Sequence, residues 1–259
     1  MRIVGTGEPT LIFVHGFACA GGDWDRQLAA LSPKFRCIAF DLPGHGTSPL
    51  PETVSVGAMA EAVNSVKERA GGNAAILIGH SMGCRVITEA YRRSPAKVVG
   101  LVFVDGSRFA GDLAPKPSVA TDTISRSDAD AAMTRSFTDM FFEGSDPEIR
   151  QSIVRRALGL DLAFRTKLTP LVLRWDVEEA EEALKQIAVP ALVLQSTGIR
   201  ADHTRTPLQP GMTTPWMDAV AKLVPQSEAK VITGAGHFTM IEAAPALNEE
   251  IGKFAGRFA

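Results

Sequence analysis

Ile76-Leu77-Ile78-Gly79-His80-Ser81-Met82-Gly83-Cys84 joins a short apolar strand to the start of a helix. The helix runs from Met82 to about Arg93, with Val86, Ile87, Ala90 and Tyr91 at helical spacing. Between the two elements stands Gly-x-Ser-x-Gly. Small residues on both sides of a serine let a strand turn sharply into a helix. Ser81 then sits at the tip of a strained turn with its hydroxyl exposed. The helix begins at the same point, so its free N–H groups and dipole lie beside that hydroxyl. An oxyanion formed on a carbonyl attacked by Ser81 would meet the Met82 N–H.

Outward from this stretch, apolar runs alternate with amphipathic ones. Thr10–Val14 is apolar enough for a strand covered on both faces, and it ends at His15-Gly16-Phe17. Asp23 reads as an N-cap for a helix lined by Trp24, Leu28 and Leu31. Phe35–Phe40 is a strand ending in the turn-rich Asp41-Leu42-Pro43-Gly44-His45-Gly46-Thr47-Ser48. A helix from about Ser55 follows, then the central stretch, then a strand at Val98–Val104 ending at Asp105-Gly106-Ser107. Val189–Leu194 and Ala229–Thr233 continue the set. Gly234-Ala235-Gly236-His237-Phe238 follows the last strand, and Pro245 starts a closing helix. Thr197–Gly211 reads as a polar loop and Thr214-Pro215 as a helix start. This alternation predicts an α/β fold with a mostly parallel central sheet and helices on both faces.

Residues 108–186 break the alternation with helical patterns alone. Met133, Phe137, Met140 and Phe141 form one stripe. Ile149, Ile153 and Ala157 form a second behind the Asp146-Pro147 start. Phe164, Leu168, Leu171 and Trp175 form a third, with Pro170 placed to kink or split it. Val177, Ala180, Leu184 and Ile187 form a fourth. The expected organisation is therefore a core of 1–107 and 187–259 with a helical cap, 108–186, inserted as a lid.

Composition narrows the function. The 259 residues carry 27 basic and 29 acidic side chains for a net charge of −2, without a basic block, which argues against a nucleic-acid partner. The N-terminus lacks a long apolar h-region and no stretch is apolar enough to span a bilayer, so a cytoplasmic protein without membrane attachment is expected. Cys19, Cys37 and Cys84 are odd in number and follow no ligand spacing. Cys84 reads as a small buried residue on the first helical turn. No metal site and no cofactor are expected.

Ligands of open parallel sheets bind at the carboxyl ends of the strands. His15-Gly16-Phe17, Ser81, Asp105 and His237 each follow an apolar strand run, so all converge on that edge. A serine hydroxyl needs a base to remove its proton, and the base needs a carboxylate to orient it. Taken together, His15-Gly16-Phe17, Asp41-x-Pro-Gly44-His45-Gly46-x-Ser48, Gly79-His80-Ser81-Met82-Gly83 and Gly234-x-Gly236-His237-Phe238 resemble the α/β-hydrolase superfamily over nearly the whole chain. The resemblance implies Ser81 as nucleophile, His237 as general base and acid, an oxyanion hole from the Phe17 and Met82 amides, and a helical cap over the site. His15, His80 and His45 read as structural, held by backbone or turn contacts.

The acid departs from the family pattern. Relatives commonly place it after the strand that follows the cap, as Gly-x-x-Asp. Here that stretch is Gln195-Ser196-Thr197-Gly198-Ile199-Arg200-Ala201-Asp202, with serine for the glycine and Ile199 at the acid position. Asp202 and Asp105 both stay open. Asp105 is favoured because a core strand fixes its backbone. The expected activity is a serine hydrolase, a carboxylesterase acting on a small and apolar acyl substrate. Carbon–carbon bond hydrolysis of ring-fission products, lactonase, thioesterase or perhydrolase activity, and a ligand receptor on the same fold are the alternatives. The oligomeric state is not legible.

Overall fold

A computed structural model describes residues 1–108, 125–200, 202 and 204–259 of the chain. The beginning of the expected cap, residues 109–124, lies outside the described residues. Strands β1 (Arg2–Val4), β2 (Thr10–Val14), β3 (Cys37–Ala39), β4 (Ala75–His80) and β5 (Val98–Val104) come first. They alternate with α1 (Asp25–Leu31), α2 (Val56–Ala70) and α3 (Met82–Arg93). Helices α4 (Arg126–Asp139), α5 (Pro147–Gly159), α6 (Leu162–Glu178) and α7 (Ala180–Lys185) then separate β5 from β6 (Ala191–Gln195). A hairpin of β7 (Thr197–Ile199) and β8 (Arg205–Pro207) precedes α8 (Pro215–Leu223) and β9 (Ser227–Val231). The chain closes with α9 (Thr239–Glu242) and α10 (Ala244–Ala255).

Seven strands form one sheet in the order β1-β3-β2-β4-β5-β6-β9, all parallel to their neighbours except β1, which runs antiparallel to β3. The fold is the α/β-hydrolase fold. β4 lies at the middle of this order, so the loop that follows it is surrounded by the loops after β2 and β5. Alternation along each strand splits the core in two. Ile12, Val14, Leu77, Leu101 and Phe103 face the side covered by α2, α3 and α8. Leu11, Phe13, Ile76, Ile78, Val102 and Val104 face the side covered by α1 and α10. Burial on both faces is what continuous apolar strands require.

Side chains cap the starts of α2 and α5. Ser55 accepts from the Ala58 N–H (3.0 Å) at the start of α2, and Asp146 accepts from the Glu148 N–H (2.8 Å) ahead of Pro147. Several expectations are corrected. Asp23 does not cap α1: it closes a 3₁₀ turn over Gly21–Trp24, accepts from the Ala20 N–H, and its carboxylate is held by both Nη atoms of Arg156 from α5 (2.9 and 2.8 Å). The strand expected over Phe35–Phe40 is only Cys37–Ala39, and the last strand begins two residues early, at Ser227, in register with Ala191. Pro170 does not split α6: the helix continues through it, and Pro170 faces solvent, where the carbonyl left unpaired by the missing N–H can reach water. The fourth stripe is divided between α6 and α7, and Val177 is exposed. The expected polar loop after Thr197 contains the β7–β8 hairpin.

Candidate active site

Ser81 connects β4 to α3 with φ 55° and ψ −116°, a backbone conformation that a residue with a Cβ adopts only under strain. The flanking glycines follow from packing. A Cβ on Gly83 would lie 2.4 Å from the Val14 carbonyl oxygen, and one on Gly79 would lie 2.4 Å from the Gly83 carbonyl oxygen. Only glycine lets α3 start this close to β2 and fold back on β4. The turn is fastened by the Ser81 N–H donating to the Val104 carbonyl (3.0 Å), the last residue of β5. The Met82 N–H, first in α3, has no preceding turn to accept it.

The next residue after β5 is Asp105, fully buried and also in the left-handed region, at φ 44°. Aspartate tolerates that region better than most residues. One carboxylate oxygen, Oδ1, accepts from the Ser196 and Thr197 N–H groups, both at 2.7 Å. Oδ2 accepts from the Thr197 hydroxyl (2.6 Å) and from His237 Nδ1–H (2.6 Å), and the Arg205 guanidinium lies 3.5 Å away. Burial pushes the Asp105 carboxyl up, and Arg205 and the Thr197 and Ser196 donors oppose this. Asp202, by contrast, is exposed and accepts from Thr204 in its own loop. Of the two candidate acids, the structure joins Asp105 to His237.

With Nδ1–H bound to Asp105, His237 presents Nε2 as its lone-pair nitrogen. Burial holds the imidazole well below its ordinary range, and the nearby cations Arg205 and Arg85 add to the effect. The ring is placed by its own backbone: His237 N–H donates to the Met140 carbonyl (2.8 Å) after α4, and His80 Nε2–H donates to the His237 carbonyl (2.8 Å). The His80 and His237 ring centroids are 4.6 Å apart, so the base lies beside the residue preceding Ser81. The Ser81 hydroxyl makes no hydrogen bond among the described residues.

The other flagged histidines are held by backbone. His15 Nε2 accepts from the Leu42 N–H (2.9 Å) and Nδ1 donates to the Gly16 carbonyl (2.8 Å), which ties the loop carrying Phe17 to the loop after β3. His45 Nδ1 donates to the Pro43 carbonyl at 3.1 Å. Aromatic side chains of the later helices pack on these loops. Phe137 of α4 packs on Phe17 (6.4 Å between centroids), and Phe164 of α6 packs on His45 (5.4 Å). Beside Ser81, Arg85 makes a buried two-pronged ion pair with Asp176 of α6 (2.7 and 2.6 Å). Among the described residues no group of histidine, cysteine, aspartate and glutamate could hold a metal ion. No helix among the described residues is long and apolar enough to cross a membrane. A cavity of about 250 Å³ between α2, α3 and α6 is lined by Ser55, Arg92, Arg174 and Trp175 among others, but not by Ser81 or His237; it lies apart from this chemistry.

Residues 11–250 match the sequence profile of the alpha/beta hydrolase family. The chain belongs to the alpha/beta hydrolase family. Among curated relatives of this alpha/beta hydrolase, the pimeloyl-(acyl-carrier protein) methyl ester esterase of Methylococcus capsulatus is 29% identical over 153 residues, 59% of this chain and 54% of that protein. The match thus spans about half the length of that relative. Among solved structures, Est816, described as an N-acyl homoserine lactone degrading enzyme, superposes with a TM-score of 0.80 at 21% identity, over 98% of this chain and 95% of the other. A thermophilic esterase gives 0.75 at 24% identity, over 100% and 98%. These two likenesses concern the fold.

Sequence reasoning did not single out the group that surrounds Asp105: Ser196, Thr197 and Arg205. No spacing rule marks them, because they meet the carboxylate only through pairing of β5 with β6 and of β7 with β8. The one available signal was the departure from Gly-x-x-Asp after β6, which already placed Ser196 where a glycine is usual. Glu242 was also unmarked; its Oε2 accepts from the Gly236 N–H (2.9 Å), and its other oxygen binds the Ser145 hydroxyl.

Proposed function

We propose that the chain is a serine hydrolase that cleaves an ester or related acyl substrate. The observation that carries this reading is the His237 Nδ1–Asp105 contact at 2.6 Å beside a serine held at positive φ at the start of a helix. Asp105 fixes the tautomer of His237 and offsets the positive charge that the ring acquires in the transition state. His237 Nε2 takes the Ser81 proton as the hydroxyl attacks the carbonyl. Apo sites commonly tighten this contact only when substrate is bound, so a rotation of the hydroxyl toward Nε2 is the step required. The Met82 and Phe17 N–H groups receive the oxyanion. His237 then protonates the leaving group and activates water to release the acyl-enzyme.

Helices α4 to α7 serve as the cap. Phe137 and Phe164, packed on the loops that carry Phe17 and His45, give the pocket an apolar roof suited to an aliphatic or aryl acyl group. The methyl ester esterase among the relatives supports an ester as the bond cleaved.

A p-nitrophenyl ester series, extended to lactones, thioesters and a ring-fission dienoate, tests the proposal. Ser81→Ala is expected to lose about 10⁶-fold in kcat. Asp105→Asn is expected to lose about 10⁴-fold while staying folded, and Asp202→Asn to stay near wild type. Loss of turnover in Asp202→Asn alone would overturn the assignment of the acid. Absence of turnover on every acyl substrate would favour a binding protein on the same fold.

A further inference from the structure

Arg205 arrives at Asp105 from an element that the site would not otherwise need. It stands on β8, opposite Ile199 of β7, in the hairpin that occupies the region where relatives commonly carry the acid. Three anchors fix it. Its N–H donates to Asp139 Oδ2 (2.8 Å), its Nη1 donates to Thr197 Oγ1 (2.9 Å), and the same nitrogen lies 3.5 Å from Asp105 Oδ2. Its side chain is only 10% exposed. The Thr197 hydroxyl spends its own proton on Asp105 Oδ2 (2.6 Å), so a chain of donors runs from the guanidinium to the carboxylate that orients His237.

From this geometry we propose that Arg205, though it touches neither the substrate nor the reacting atoms, is a positioning residue that sets the charge state of the Asp105–His237 pair. The proposal rests on the Ser81 reading for its link to activity. A buried cation beside a carboxylate favours the ionised acid, and the same cation disfavours a proton on the neighbouring imidazole. Arg205 thus keeps the pair in the form Asp105⁻ with neutral His237, the only form in which the ring can accept a proton from Ser81. The other charged and titratable groups around the pair are Arg85 on α3, His80 on β4, Asp139 at the end of α4 and Glu242 on α9. Arg85 is engaged by Asp176, and Asp139 binds the Arg205 backbone. Of the two cations acting on His237, Arg205 has the greater effect.

The test is the pH dependence of kcat/KM on a p-nitrophenyl ester for wild type, Arg205→Gln and Arg205→Lys. Removing the cation makes His237 more basic, so the acid limb in Arg205→Gln is expected to move up by about one pH unit or more. Arg205→Lys keeps the cation and is expected to hold the limb near wild type. A folded Arg205→Gln with an unmoved limb overturns the proposal. So does an equal loss at every pH in both variants, which marks a purely structural role. If Arg205→Gln fails to fold, ¹⁵N-histidine NMR on Arg205→Met, set against wild type and Arg205→Lys, decides: His237 is expected to titrate at higher pH in Arg205→Met than in the other two, and an unmoved titration overturns the proposal. The NMR reading needs no turnover, so failure of the Ser81 reading is distinguishable from failure of this one.

Discussion

Ser81 and Asp105 both carry a Cβ in backbone conformations that favour glycine, and both close a central strand of the sheet. Such strain costs about 1–3 kcal/mol per residue and persists only where the surroundings impose it. Here the Ser81 N–H is pinned to the end of β5 and the Asp105 carboxylate to two backbone N–H groups after β6. Ser81→Gly is therefore expected to be more stable than Ser81→Ala by about 1 kcal/mol, read as a shift in denaturant midpoint at unchanged slope. Equal midpoints for the two variants would remove the strain argument. Ser81 and Asp105 were legible as candidates because each follows an apolar run of a buried strand, and His237 because Gly234-Ala235-Gly236 precedes it in the loop after the last strand. The choice between Asp105 and Asp202 was less legible, because it depends on which loop reaches His237. Arg205 was not legible at all: an arginine in a polar stretch carries no mark of the carboxylate it will face.

At the scale of elements, β2, β4 and α3 meet in close backbone contact beside the site. With the Val14 carbonyl where a Gly83 Cβ would have to go, Gly83→Ala forces α3 away from the sheet. Overpacking of this kind costs about 1–3 kcal/mol, and the displaced helix also carries Met82 with it. Gly83→Ala is expected to unfold at lower denaturant and to lose ester turnover, whereas Gly22→Ala, where a Cβ meets nothing within 4 Å, should unfold near wild type. A stable and fully active Gly83→Ala would refute this account of the turn. The order of elements was readable because parallel strands buried on both faces leave an uninterrupted apolar signature. Their edges were less so. The apolar run at Phe35–Phe40 continues beyond the three residues that pair, and α6 passes Pro170 because that residue faces water. The β7–β8 hairpin escaped because its strands are three residues each and carry no apolar run.

For the molecule as a whole, His15, His45, His80 and His237 are all buried. Burial pushes His15 down to about 4 and His45 down to about 3, and it holds His80 and His237 well below the ordinary value. In the unfolded chain each of these rings titrates near 6.5. Above that pH neither state is protonated, and the four contribute no pH dependence. Below it the unfolded chain takes up protons that the folded protein refuses, so stability falls as pH falls. Each ring adds about 1.4 kcal/mol per pH unit between its unfolded and folded values. The free energy of unfolding is thus expected to be flat from about pH 8 to 7 and to drop steeply from about pH 6 to 5, before most carboxylates titrate. Urea midpoints at these pH values check it, and equal midpoints at about pH 7.5 and 5.5 would contradict it.

The bond from the His237 N–H to the Met140 carbonyl fastens the loop of the imidazole to the end of α4. An outward swing of that end either breaks this bond or draws the His237 loop with it. If α4 to α7 serve as the proposed cap, a hinge at Met140 keeps this bond intact while the far end of α4 travels most. A molecule opened at the wrong hinge would admit a ligand and be unable to transform it.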